Sequence, residues 1–379
     1  MFSKLDAYLD AFLDMGVPGY DTVIYQNGIC IYRRTKGYSD LENKIPMNGQ
    51  ERYNIYSCSK PITAVAAMQL YEKGLFKLSD KLSDYLPEFA HMTVRQPDGT
   101  VVPAKNPILV EHIFTMTAGF SYDTASPFLQ QAKVETGGTC PTREVMKYLA
   151  REPLKFEPGT DWQYSLCIDV LAALVEVLSG ERFGDYVKKN IFDPLGMHRS
   201  TFLLPEEELP TICTQYAFTG IPRVAKPIDK HIRSYKLGSM YESGGAGGIS
   251  TVDDYMKFLE ALRVGDVILK NETIELMCKD RLTDLTRRNY WYTNYGYGLG
   301  VRSPMPGVST DFGWGGAAGA YLMVDRVNGI TAYHAQHTLN SPNSAQRRAL
   351  AQVITECILG GERARSVDTA GESTLQQYQ

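Results

Sequence analysis

Two Asn-Gly dipeptides near opposite ends of the chain constrain the fold most. Asn27-Gly28 stands between Val23-Ile24-Tyr25 and Ile29-Cys30-Ile31-Tyr32, and Asn328-Gly329 stands between Ala320–Val324 and Ile330–His334. Asn-Gly readily takes the positive φ values of a tight turn, and the flanking runs are β-branched and aromatic. Each dipeptide therefore predicts an antiparallel hairpin. Between them, from Pro61 to about residue 255, the pattern turns helical. Ile62, Val65, Met68, Leu70 and Tyr71 suit a buried helix closed by Gly74, Val110 to Met116 a shorter one, and Val170, Leu171, Leu174, Val175 and Leu178 a stripe that Gly180 stops.

Strands at both ends with helices inserted between them predict one sheet assembled from the two termini. The expected class is α+β, an α/β sandwich with a mainly antiparallel sheet plus an all-helical lobe. Residues 1–60 and 256–360 form the α/β domain, residues 61–255 the mainly helical domain, and the polar residues 361–379 a disordered tail. An amphipathic helix over Phe2, Leu5, Leu9, Phe12 and Leu13 opens the chain, a strand is expected over Tyr297–Val301, and a last apolar helix over Ser344–Leu359. This topology puts residues near 57 at the seam between lobes, where clefts form.

Composition excludes several classes. A net charge of −4 supplies no basic field for a phosphate backbone, so nucleic acid is not an expected partner. No apolar run approaches the roughly 18 residues of a membrane span, and the first residues carry acids among their apolar positions, so the chain is expected neither to cross a membrane nor to be exported. Seven scattered cysteines with no CxxC pair point to reduced thiols and a cytoplasmic location. His334 and His337 would face opposite sides of a strand, no HExxH occurs, and no metal or organic cofactor is implied. The cluster Gly244-Gly245-Ala246-Gly247-Gly248 has neither GxGxxG spacing nor a P-loop lysine, and reads as a tight loop where backbones approach closely.

The chemistry gathers around Ser57-Cys58-Ser59-Lys60 at a strand-to-helix junction. Positions three apart share one face of a helix, so hydroxyl and amine can meet. A serine becomes a useful nucleophile when a neighbour takes its proton, and a desolvated lysine is one such neighbour. Tyr164, on a loop turned by Pro158-Gly159 just before a helix, is placed to supply a second acid–base group. Trp314-Gly315-Gly316 enters a strand whose bare glycine backbone lets a substrate lie against its edge. Tyr122 reads equally as acyl-pocket lining or plain packing, and Cys58 as a buried, inert thiol. Tyr25-Gln26-Asn27 and Tyr292-Thr293-Asn294 also spell Tyr-x-Asn, but their contexts mark them as chance.

Taken in order, these motifs resemble the serine β-lactamase and penicillin-binding-protein superfamily, in its class C branch, and are closest to the family VIII carboxylesterases. Further segments carry the same resemblance: Gly37–Glu42, Leu75–Leu86, Phe114–Gly119, Asp193–Met197 and Ser243–Gly247. The resemblance implies Ser57 as acylated nucleophile, Lys60 as the lysine of SxxK, Tyr164 as the tyrosine of the second motif, and Trp314-Gly315-Gly316 in place of Lys-Thr-Gly. It also implies an oxyanion hole from the backbone N–H groups of Ser57 and Ala317.

Two departures decide the expected substrate. Leu166 ends the second motif where a β-lactamase has asparagine, and Trp314 replaces the lysine that would meet a β-lactam carboxylate. A site without its polar partner loses much of its specific recognition. The expectation is a serine carboxylesterase acting on a small-molecule ester through an acyl-enzyme on Ser57, with acyl transfer to another alcohol or amine open to the same site. Trp314, Gly315, Gly316, Tyr122 and Leu166 would contact the substrate. The alternatives are a β-lactamase or D-amino-acid peptidase of the same fold and, less favoured, a non-catalytic binding homologue.

Overall fold

The computed structural model describes residues 2–229 and 236–360, so the tail expected over 361–379 lies outside the described residues. Its centre is an eight-stranded antiparallel sheet. The order runs Gly296–Tyr297, Arg302–Ser303, Phe312–Gly315, Tyr321–Asp325, Ile330–Gln336, Gly19–Gln26, Ile29–Asp40, Ile45–Pro46. The N-terminal strand Gly19–Gln26 pairs directly with Ile330–Gln336, with Val23 opposite Tyr333 and Ile24 opposite Ala332. This pairing joins the two ends of the chain into one sheet.

The period-two alternation of these strands feeds two different cores. Tyr20, Ile24, Tyr321, Met323 and Ile330 pack with Leu5, Leu9 and Phe12 of the helix Ser3–Asp14 and with Leu350 and Ile354 of the helix Leu350–Leu359. The residues between them, Val23, Leu322, Val324 and Tyr333, turn to the opposite face and join the large core. There the helix Val252–Val264 lies on the sheet, with Tyr255 stacked on Tyr333 at 4.4 Å between ring centroids. The same core continues into the helices Ser59–Glu72 and Cys167–Ser179, so the sheet and the helical segment share one apolar interior.

Several expectations meet local corrections. The expected domain boundaries at 60/61 and 255/256 each fall inside a helix, Ser59–Glu72 and Val252–Val264, and the latter packs on the sheet as one unit. The segment between also carries short hairpins, Thr93–Arg95 with Val101–Pro103 and Gln215–Thr219 with Val224–Ile228. Of the strand expected over Tyr297–Val301 only Tyr297 is in one, Gly296–Tyr297: Gly298 is pressed against the Met277 carbonyl, 2.0 Å from where a Cβ would sit, and Gly300 takes φ +76°. The chain bends there and resumes as Arg302–Ser303. The last helix is two pieces, Ser344–Arg348 and Leu350–Leu359. At the first hairpin both Asn27 (φ +50°) and Gly28 (φ +82°) are left-handed, whereas at the second only Gly329 (φ +69°) is, and Asp325 accepts from the Asn328 backbone to close a longer loop. No helix of the described residues is long and apolar enough to cross a membrane.

Candidate active site

The short strand Arg52–Asn54, paired with Ile249–Thr251, delivers the chain to a single turn of 3-10 helix, Tyr56–Cys58, which runs straight into Ser59–Glu72. Tyr56 holds φ +47°, a conformation that costs a bulky L-residue about 1–2 kcal/mol and persists only where surrounding contacts impose it. Those contacts are present. Ser59 Oγ donates to the Tyr56 carbonyl at 2.6 Å and accepts from the Gly248 N–H at 2.8 Å, while Tyr255 OH donates to the Cys58 carbonyl at 2.6 Å. The second serine of the tetrad is therefore a brace for the turn on which Ser57 stands. Cys58 is fully buried, and burial pushes its thiol up to about 12, as expected of an inert cysteine.

Ser57 Oγ is hydrogen-bonded to Tyr164 OH and also accepts from Lys60 Nζ at 3.1 Å. Lys60 has no solvent exposure; its Nζ donates to the Gly245 carbonyl at 2.7 Å and lies 4.5 Å from the centre of the Tyr164 ring. The helical spacing thus brings Ser57 and Lys60 together as their sequence positions require, and the loop before Cys167–Ser179 brings Tyr164 to both. The glycine cluster is a close approach of backbones: a Cβ on Gly244 would meet the Ile168 carbonyl at 2.6 Å, and Thr63 Oγ1 donates to the Gly244 carbonyl at 2.7 Å.

Ser57 opens onto a cavity of about 560 Å³. Tyr164, Trp314, Gly315, Gly316 and Ala317 line it with Ser57, bringing most of the predicted site residues onto one surface. Trp314 and Gly315 lie in register with Leu322 and Tyr321 of the neighbouring strand, which fixes the wall. Gly316 is required by proximity, since a Cβ there would sit 2.6 Å from the Ile55 carbonyl.

Two predicted substrate contacts need correction. Tyr122 and Leu166 do not line this cavity. Tyr122 instead stacks on the Tyr164 ring, 5.3 Å between centroids and 2° between planes, and supports it. Leu166 is buried at the start of its helix and donates its backbone N–H to the Ser121 carbonyl, an apolar residue turned into the core.

The cavity also holds residues that sequence reasoning missed: Trp291, Tyr292, Arg347 and Arg348. Trp291 is half exposed, packs on Tyr164 at 4.8 Å and stacks with Trp314 at 6.3 Å, roofing the site. No periodicity marks it, because it lies outside regular structure. Tyr292 belongs to the dismissed Tyr-x-Asn triplet; its ring, not the triplet, matters. Arg347 Nε donates to Asn343 Oδ1 at 3.3 Å, and burial pulls its guanidinium down to about 10. Among the described residues neither Arg347 nor Arg348 has a carboxylate within ion-pair distance, and no acid lines the cavity. A second space of about 370 Å³, bounded by Phe156, Asp161, Gln163 and Asn289, shares Tyr164 and Trp291 with it.

Among the described residues no three His, Cys, Asp or Glu side chains are grouped to hold a metal ion. His334 is hydrogen-bonded to Thr22 Oγ1 and His337 to the Thr214 carbonyl, away from Ser57.

A serine meeting a lysine and a tyrosine at a cavity walled by the strand Phe312–Gly315 defines a class of serine acyl-transferring enzyme, and the chain belongs to the Beta-lactamase family, whose family model matches residues 5–355. It is similar to esterase EstB of Burkholderia gladioli, 28% identical over 356 residues that cover 87% of this chain and 88% of that one. It is also similar to the lovastatin esterase of Penicillium rubens, 26% identical over 80% of this chain and 84% of that one. Among solved structures it resembles EstCE1, described as a hydrolase with promiscuous acyltransferase activity. The TM-score is 0.75 at 25% identity, covering 92% of this chain and 97% of that one.

Proposed function

We propose that this protein is a serine carboxylesterase that works through an acyl-enzyme on Ser57. The observation that carries the reading is that Ser57 Oγ, at a cavity wall, is hydrogen-bonded to both Lys60 and Tyr164. Ser57 Oγ attacks the ester carbonyl carbon while its proton passes to the coupled Lys60–Tyr164 pair. The oxyanion is met by the backbone N–H groups of Ser57 and Ala317; Ser57 sits in the first turn of a helical segment, where N–H groups lack an intrahelical acceptor. The carbon–oxygen bond then breaks, the proton goes to the departing alkoxide, and the alcohol leaves. Water attacks the acyl group by the same route in reverse, and an alcohol or amine in its place gives acyl transfer.

The choice of ester over β-lactam is supported by the cavity wall. Trp314 presents an indole where a lysine would present a cation, and Leu166 is packed in the core. The esterase names carried by similar proteins point the same way. The two arginines at the cavity favour an ester with an anionic group distal to the scissile bond. The reading includes two lobes, the sheet with its helices and the helical segment, meeting at Ser57. It also includes a cytoplasmic location, supported by seven cysteines that are all free thiols. Replacing Ser57 by alanine tests the nucleophile: p-nitrophenyl butyrate turnover falls to background while the circular dichroism spectrum is unchanged. Activity retained in a folded Ser57→Ala protein contradicts the proposal.

A further inference from the structure

Asp169 lies directly behind Lys60 and plays no part in the steps above. It is fully buried on the helix Cys167–Ser179, and its Oδ1 accepts from Tyr241 OH at 2.9 Å and from Ser243 Oγ at 2.6 Å. Its Oδ2 is turned toward Gly245, whose carbonyl receives Lys60. A Cβ built on Gly245 would lie 2.5 Å from Asp169 Oδ2 and 3.4 Å from Lys60 Nζ, so carboxylate and amine are within about 6 Å of each other, with a bare glycine between them. Any larger residue at 245 would push them apart.

We propose that Asp169 is a positioning residue, the buried counter-charge that keeps the proton on Lys60 and so leaves the Tyr164 oxygen to take the proton of Ser57. The inference rests on the reading of Ser57 as the acylated serine. An ammonium with no solvent exposure is costly unless an opposite charge lies nearby, and Asp169 is the acid so placed. Two hydroxyl donors on Oδ1 favour the ionised form, while the buried Oδ2 has no hydrogen-bond partner among the described residues and is left with the nearby Lys60 charge as its compensation. Burial raises the acid, while the Ser243 hydrogen bond and the Lys60 charge oppose that rise. The other titratable groups facing the pair are the phenols of Tyr122, Tyr164 and Tyr241 and the thiols of Cys58 and Cys167. With the extra proton on Lys60, the ionised site carries its negative charge on Tyr164. Tyr164 accepts the Ser57 proton as Oγ bonds to the carbonyl carbon, then returns it to the leaving alkoxide.

The test is the pH profile of kcat/KM for p-nitrophenyl butyrate in the wild type, Asp169→Asn and Tyr241→Phe. Removing a negative charge at this distance makes the catalytic pair give up its proton more easily, so the acid limb of Asp169→Asn moves to lower pH by on the order of one to two units. Tyr241→Phe removes a donor that stabilises the carboxylate, so the acid rises and part of its charge is lost by protonation on the acid side; the limb moves by a smaller amount in the same direction, and this decides the matter if Asp169→Asn does not fold. A uniform loss of rate with the acid limb unmoved overturns the assignment. Detection of the butyryl adduct on wild-type Ser57 separates the two claims. An adduct with an unmoved limb overturns the role of Asp169 alone, whereas no adduct overturns the esterase reading beneath it.

Discussion

The Ser57 hydroxyl and the Tyr164 phenol are hydrogen-bonded to each other across 107 residues of chain. One stands on a strained turn before a helix, the other on a loop before a different helix, and the contact exists because the glycine cluster lets those two helices close on Lys60. Tyr164→Phe keeps the ring, with its stacking contacts to Tyr122 and Trp314, and deletes only the oxygen. The expected result is a loss of kcat of roughly 10²- to 10⁴-fold, the range for a general acid–base group, with little change in melting temperature. Steady-state kinetics beside a thermal melt checks it.

Arg347 gives a prediction about substrate rather than rate. A half-buried guanidinium lining the same cavity as Ser57, with no carboxylate partner among the described residues, is available to a substrate anion. Arg347→Ala should raise KM roughly tenfold for an aryl ester bearing a distal carboxylate and leave that of the matching neutral ester nearly unchanged, since a hydrogen bond to a charged group contributes about 1.5–3 kcal/mol. Equal effects on both esters would argue against anion recognition.

Much of this arrangement was legible in the sequence, and the reason is local geometry. Ser57 and Lys60 are three residues apart on a helix, so their meeting follows from helical period alone, and Asn27-Gly28 encodes its own turn. Trp314 was legible because the glycines after it mark a strand edge that must approach another backbone. Trp291, Arg347 and Asp169 were not. Trp291 and Arg347 reach the cavity from an irregular loop and a five-residue helix, where no repeating pattern tells inside from outside. Asp169 sits in an apolar stripe, where an acid reads as a solvated interruption until its partners Tyr241 and Ser243 are seen. Leu166 failed as a substrate contact because a motif fixes the place of a residue in the chain, while packing fixes where its side chain turns.

Buried histidines set an acid limit on stability. Burial lowers His334 to about 3 and His112 to about 4, so in the folded protein both stay neutral where the unfolded chain takes up a proton. Each depressed group contributes stability that is complete above the unfolded value near 6.5 and is lost as pH falls from there toward the folded value. At pH 5 the fully buried His334 should account for about 2 kcal/mol of lost stability. Urea unfolding at pH 7 and pH 5 measures it: His334→Gln should shrink the difference between the two pH values by about that amount, and an unchanged difference would argue against a neutral buried ring.

The most direct measurement is the mass of the intact protein during turnover. Mixed with excess p-nitrophenyl butyrate and quenched in acid within the first turnovers, the protein should gain the mass of one butyryl group. Peptide mapping should place that group on Ser57, and Ser57→Ala should gain nothing. A butyryl group on another residue, or turnover with no adduct at any quench time, would contradict the acyl-enzyme on which the account rests.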